Sequence, residues 1–134
     1  MKFTRNAGAE APADRSLQLR RDRAAAPALR TLFPALAQLQ LELLFEAPTG
    51  VIPVPQRHLL HPPARAYFVF PCPYADCDGQ FDMTAAVTAA LQTPALRTEG
   101  QLQCAGLRPG GAAAKRPCGL HLHYTVIGTP ASAP

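Results

Sequence analysis

The chain has 134 residues, which is enough for one domain with its own hydrophobic core and too few for two. Its 15 prolines are about twice the usual share and exclude long uninterrupted helices, and no apolar run approaches the roughly 20 residues of a membrane-spanning helix. The formal net charge of +4 comes from the first 30 residues, because seven basic and three acidic side chains lie there and the remainder holds six of each. The globular part is therefore expected to be neutral.

Both ends of the chain are small, polar or charged in composition. We expect disordered tails over residues 1–14 and 129–134, flanking a single domain over residues 15–128. The first 15 residues lack the apolar segment of a secretory signal, so a reducing cytoplasm is the expected compartment. The excess of arginine over lysine, with abundant alanine and proline, is typical of GC-rich bacterial coding.

Apolar residues recur at helical spacing between Ser16 and Gln38, but Pro27 and Pro34 interrupt them. This predicts one short kinked helix, or two pieces that meet near Pro34. Leu39 to Glu46 then alternates with a period of two and predicts a half-buried strand.

The following segment, VIPVPQRHLLHPP, contains too many prolines for a central strand and is expected to be an extended edge or a loop. The aromatic and β-branched run Ala64 to Pro71 predicts a strand buried on both faces.

A helix is predicted up to Gln92, with Asp82 or Thr84 as its N-cap. Strands are predicted for residues 101–105 and 118–127, joined by the long hairpin connection LRPGGAAAKRP. The fold class is therefore α+β: an N-terminal helix followed by a small antiparallel sheet of about four strands with one inserted helix.

All four cysteines lie where predicted strands meet loops. Cys72 and Cys77 bracket one turn, and Cys104 and Cys118 lie at the two ends of the last hairpin's loop. Two such pairs could supply four thiolates to a tetrahedral structural zinc ion. Buried free thiols are an alternative, as are disulfides, for which three pairings are open.

The strings Cys72-Pro73, Cys77-Asp78-Gly79 and Cys118-Gly119 make residues 66–124 resemble the zinc ribbons. The spacings differ, because four and thirteen residues separate the paired cysteines where ribbons have two. The resemblance implies cysteine pairs presented by two hairpins to one zinc ion. It also implies association with nucleic acid or with larger assemblies.

Two histidines, His121 and His123, share one face of the last predicted strand, opposite to Cys118 and Leu120. That spacing would suit a metal or proton-transfer site, although an exposed sheet face is the simpler interpretation. Asp78 is expected to form a turn with Gly79.

Seven basic residues are candidates for nucleic-acid binding. An arginine-rich helix start could contact phosphates, and the basic residues of the last loop could do the same or offset the charge of the thiolates. The set is Arg15, Arg20, Arg21, Arg23, Arg108, Lys115 and Arg116.

The leading hypothesis is a small non-enzymatic binding or adaptor domain, stabilised by zinc and acting on an unidentified protein partner, with no role at a membrane. One alternative is RNA or DNA binding through the arginine segment, for which an Sm-like barrel would be a fold-level analogy. The other is a thiol- or metal-dependent enzyme that uses His121 or His123.

Overall fold

A computed structural model describes residues 12–47, 54–110 and 113–131. The elements mix helices and antiparallel strands, which confirms the α+β class. In chain order they are α1 Pro12–Ala25, α2 Leu29–Leu32, β1 Leu36–Glu46, β2 Val54–Leu60, β3 Val69–Pro71, β4 Gln80–Asp82, α3 Thr84–Leu91, β5 Arg97–Gln103, β6 Leu107–Gly110, β7 Ala113–Pro117 and β8 His121–Pro130.

Four strands form the main sheet, in the order β2-β1-β8-β5, and every neighbouring pair is antiparallel. The expected sheet of about four strands is thus present. The longest ladder joins β1 to β8, from Leu36 opposite Pro130 to Glu46 opposite His121. The proline-containing β2 lies at an edge, as predicted, where a missing amide donor costs no ladder hydrogen bond.

Two short pairs of strands, β3 with β4 and β6 with β7, form separate small sheets. The prediction of one buried strand over residues 64–71 is wrong, because only Val69–Pro71 is a strand. The earlier part bonds to the N-terminal helices instead: Leu29 N–H donates to the Ala64 carbonyl, and Ala66 N–H donates to the Pro27 carbonyl. The expected hairpin connection between β5 and β8 contains β6 and β7.

The N-terminal helical segment consists of two helices, and the break between them lies at Pro27. The expected junction near Pro34 instead follows the end of α2. Farther along, α3 ends at Leu91, one residue before its predicted end. Its N-cap by backbone geometry is Met83, which lies between the two expected residues. The Asp82 carboxylate still accepts hydrogen bonds from the backbone N–H and the hydroxyl of Thr84.

The core lies on one face of the main sheet, where α3 packs on β5 and β8. The alternating residues of β1 point into it, as predicted, and Leu122 and Val126 of β8 join them. The other face carries Glu42, Glu46 and the two histidines of β8. The sheet therefore has one covered and one open face.

The first and last elements of the described chain can be compared with the tails that were expected to be disordered. Helix α1 begins at Pro12 and β8 reaches Pro130, so both elements extend into the ranges expected to be disordered. Residues 1–11 and 132–134 of those tails lie outside the described residues. Within the described part, no helix is long and apolar enough to cross a membrane.

Candidate metal centre

Two turns of similar construction bring the four cysteines together. In the first, Cys72 N–H donates to the Gly79 carbonyl at 3.1 Å, which closes the turn between β3 and β4. In the second, Cys118 N–H donates to the Gly106 carbonyl at 3.0 Å, which closes the base of the β6–β7 hairpin. Each turn thus carries two of the cysteines.

The four sulfur atoms form a compact cluster, in which all Sγ atoms lie within 4.8 Å of one another. The Sγ atoms of Cys72 and Cys118 are 3.7 Å apart, and those of Cys77 and Cys104 are 3.6 Å apart. In a tetrahedron with metal–sulfur bonds of about 2.3 Å, the sulfurs are about 3.8 Å apart. The two short separations, each between one turn and the other, match the edges of such a tetrahedron.

Backbone amides point at the sulfurs from two residues farther along the chain. Gly79 N–H donates to Cys77 Sγ and Gly106 N–H donates to Cys104 Sγ, each at 3.3 Å. The Tyr74 amide has the same relation to Cys72, where its hydrogen bond favours the thiolate and opposes the effect of burial on the pKa. Amide donors that point at sulfur stabilise the thiolate form, so the backbone of these turns would stabilise negative charge on the sulfurs.

Glycines allow the two turns to pack backbone to backbone. A Cβ at Gly79 would overlap Cys104 Sγ, and a Cβ at Gly106 would overlap the backbone of Gly79. Asp78 locks the contact, because its N–H donates to the Leu107 carbonyl and its carboxylate accepts from Leu107 N–H at 2.7 Å.

Sequence reasoning expected a turn at Asp78 and Gly79 but missed Gly106. The available signal was a repeated pattern, because Cys104-Ala105-Gly106 has the same Cys-x-Gly form as Cys77-Asp78-Gly79. Each glycine follows its cysteine by two residues, which is the position whose amide faces the sulfur.

Burial makes the cluster costly to ionise without a cation. The four cysteines are between 0% and 6% exposed. Burial raises the pKa of Cys72 far above its ordinary value and raises the pKa of Cys104 to about 12. Burial thus favours the protonated thiols. A divalent cation would favour the thiolates instead, since a coordinating thiol is deprotonated outright. The described geometry could therefore hold a metal ion.

Of the three basic residues predicted beside the cluster, Arg108 contacts the turn that carries Cys72 and Cys77. Its guanidinium carbon lies 3.8 Å from the Tyr74 ring centroid, and its Nε donates to Asp76 at 2.8 Å. The hydrogen bond to Arg108 holds the pKa of Asp76 below its ordinary value. Arg116 donates to the Pro109 carbonyl within its own hairpin, and Lys115 is exposed.

The arginines of the first helix lie on a different element. Arg20, Arg21 and Arg23 are exposed on α1, whereas the side chain of Arg15 lies outside the described part. Arg23 stands 5.7 Å from the ring centroid of Tyr67. Nucleic-acid binding by these residues stays a prediction.

The two histidines of β8 do not belong to the cysteine cluster. His123 Nε2 lies 3.0 Å from Glu46 Oε1 on the neighbouring strand. Both histidines occupy the open face of the sheet, opposite to the buried Leu122.

No known protein family, curated protein or solved structure matches the chain. The resemblance to zinc ribbons therefore has no support from a family match. What stands is the geometry: four buried cysteines close enough together to bind a metal ion.

Proposed function

We propose that the chain is a small binding domain whose fold is held by one structural zinc ion. The observation that carries this proposal is the convergence of four buried sulfurs within 4.8 Å of one another. The ligands would be Cys72, Cys77, Cys104 and Cys118.

The chemistry of the donor set favours zinc. Four thiolates in a tetrahedron suit zinc or iron–sulfur chemistry, whereas magnesium and calcium take oxygen ligands. Four thiolates around one divalent cation carry a net charge of minus two, and the amides of Gly79 and Gly106 face that charge. Arg108 adds a positive charge at the edge of the same site.

The closed set of ligands supports a structural role. Catalytic zinc sites usually have three protein ligands and an open position for water, while structural sites use four. The four sulfurs are buried, and His123 is engaged with Glu46 on the open face of the sheet.

The open face of the sheet supports binding of a protein partner. Leu44 and Leu59 are 39% and 49% exposed there. They stand among charged neighbours, since Glu42 on β1 is paired in register with Arg57 on β2. We expect a protein partner to bind on this uncovered face.

Metal analysis of protein purified without chelator tests the proposal. We expect about one zinc per chain and no comparable amount of iron. Replacing any one of the four cysteines by serine should lower both the metal content and the Tm. A folded protein with four titratable thiols and no metal, or one that holds iron, would contradict the zinc site.

Val87→Ala provides the matched control. Val87 is fully buried in α3 and is not a ligand, so its truncation should cost about 1–3 kcal/mol of unfolding free energy. The zinc content should stay at one per chain. This variant separates loss of metal from loss of stability.

A further inference from the structure

A cleft of about 590 Å³ lies between α1, β2 and the segment that leads into β3. Side chains from all three regions line it: Arg23 from α1, His58 from β2, and Arg65 and Tyr67 from the segment before β3. Its volume falls within the range of sites for small molecules. Cys72 of the proposed zinc site also lines the cleft, but none of the four residues named above belongs to the cysteine cluster.

The charges that line the cleft are positive. Arg23 and Arg65 both line it, and no carboxylate does so among the described residues. Arg65 is held in place, because its Nη1 donates to the Ala26 carbonyl at 2.9 Å. A guanidinium has five N–H donors, so most of those of Arg65 stay available to a ligand.

Two carboxylates, those of Asp82 and Asp22, act on Tyr67 from beside the cleft. The Asp22 carboxylate accepts a hydrogen bond from Gln18 at 2.9 Å. Burial raises the pKa of Tyr67 above its ordinary value, and the charge of Asp22 adds to the shift. Neither carboxylate lines the cleft, so the charged groups that a ligand would meet inside it are the two guanidiniums.

Aromatic rings form a further part of the wall. The ring centroids of His58 and Phe70 are 4.6 Å apart, with the planes tilted by 35°. Tyr67 presents a third ring, which lies under Arg23. A ligand with a flat aromatic body would find stacking partners here, together with Leu60 and Pro71.

We propose that this cleft binds a nucleoside monophosphate, with its phosphate on Arg23 and Arg65 and its base against the rings of Tyr67 and Phe70. A phosphate monoester carries about −1.5 to −2 charges at pH 7, which matches two guanidiniums better than a single carboxylate does. The same group can come from a free nucleotide or from the 5′ end of a single strand.

Titration of the full chain, purified without chelator, tests this by ¹⁵N-amide NMR with adenosine 5′-monophosphate. We expect saturable shifts at the amides of Arg23, Tyr67 and Phe70. Adenosine alone and inorganic phosphate alone should each bind about tenfold more weakly or worse, because each meets one half of the cleft.

Arg23→Gln should weaken binding of the nucleotide about tenfold or more and leave the fold intact, since Arg23 is exposed on the helix. Arg65→Gln should do the same. Because Arg65 also holds the Ala26 carbonyl, circular dichroism must first show that this variant is folded. Arg30→Gln, an exposed substitution outside the cleft, is the control and should bind as the unaltered protein does.

Two results would overturn the proposal: no saturable shift with the nucleotide, or equal binding by Arg23→Gln. Hexa-adenylate distinguishes the sources. Tighter binding of the 5′-phosphorylated strand than of the free nucleotide supports the site and identifies a strand end as its ligand. A strand without the 5′-phosphate that binds as tightly as the free nucleotide would overturn the assignment to a monoester.

Discussion

The four-stranded sheet and the cysteine-bearing end of the molecule are held together in different ways. Strand β1 has 11 residues and presents a row of leucines that are at most 1% exposed from Leu39 to Leu43. Strands β3 and β4 have three residues each, and the buried groups around them combine Phe68, Phe81 and Met83 with the cysteines. A pair of strands this short is marginally stable by itself, so the zinc ion that we propose would add to what the apolar residues supply. We therefore expect the sheet to depend on packing alone and the cysteine end to depend also on the metal ion.

Removal of the zinc ion that we propose should have the largest effect, and it should affect the cysteine end before the sheet. Structural zinc contributes on the order of 10 kcal/mol in small domains, so chelation should release the turns around Cys72 and Cys118 first. Hydrogen exchange measures this, since the amides of both residues are bonded within the turns. We expect their protection to be lost while amides of Leu41 and Leu122 retain more. Equal loss in both regions would show that they form one cooperative unit.

Leu41→Ala should produce the converse result. Leu41 is fully buried in the sheet, and its truncation should cost about 2–5 kcal/mol in urea unfolding without releasing zinc. Leu44→Ala on the open face of the same strand is the control, with an expected cost within about 0.5 kcal/mol. Release of zinc from a folded Leu41→Ala protein would contradict the separation of the two regions.

Gly79→Ala should disturb the proposed metal centre without replacing any of the four cysteines. The added methyl group would overlap Cys104 Sγ and force the two turns apart, at a cost of about 1–3 kcal/mol. A chelating dye should then remove zinc faster. Gly100→Ala is the matched control, because its methyl group would overlap the ring and hydroxyl of Tyr124 in the sheet and contacts no cysteine. Equal rates of zinc loss from both variants would show that the close approach of the turns is unimportant.

The same two regions differ in how well the sequence predicts them. Alternation from Leu39 to Phe45 predicted β1 because the period of a strand is a local property. The four cysteines could be recognised as a set from their positions beside turns. The short Sγ separations between Cys72 and Cys118, and between Cys77 and Cys104, could not be predicted. They arise from the approach of two turns that are distant in the chain.

The strand predicted for residues 64–71 failed for a related reason. Its composition favours a strand, but the amides and carbonyls near Ala64 and Ala66 bond to the N-terminal helices. A tertiary contact therefore replaced a local preference. The position of the helices cannot be predicted from the pattern of residues within the segment itself.

The smallest predicted effect lies where the two regions meet, at His58 of the sheet and Phe70 of β3. Burial lowers the pKa of His58 from its ordinary 6.5, and the charge of Arg23 lowers it further. The unfolded chain therefore takes up this proton first, so the free energy of unfolding should fall as the pH drops below about 6.5. NMR titration of the ring measures the pKa directly. Arg23→Gln should return it toward 6.5, while Arg30→Gln should leave it unchanged. A His58 pKa at or above 6.5 in the unaltered protein would mean that the ring is solvated and that the sheet and the cysteine end are not packed together there.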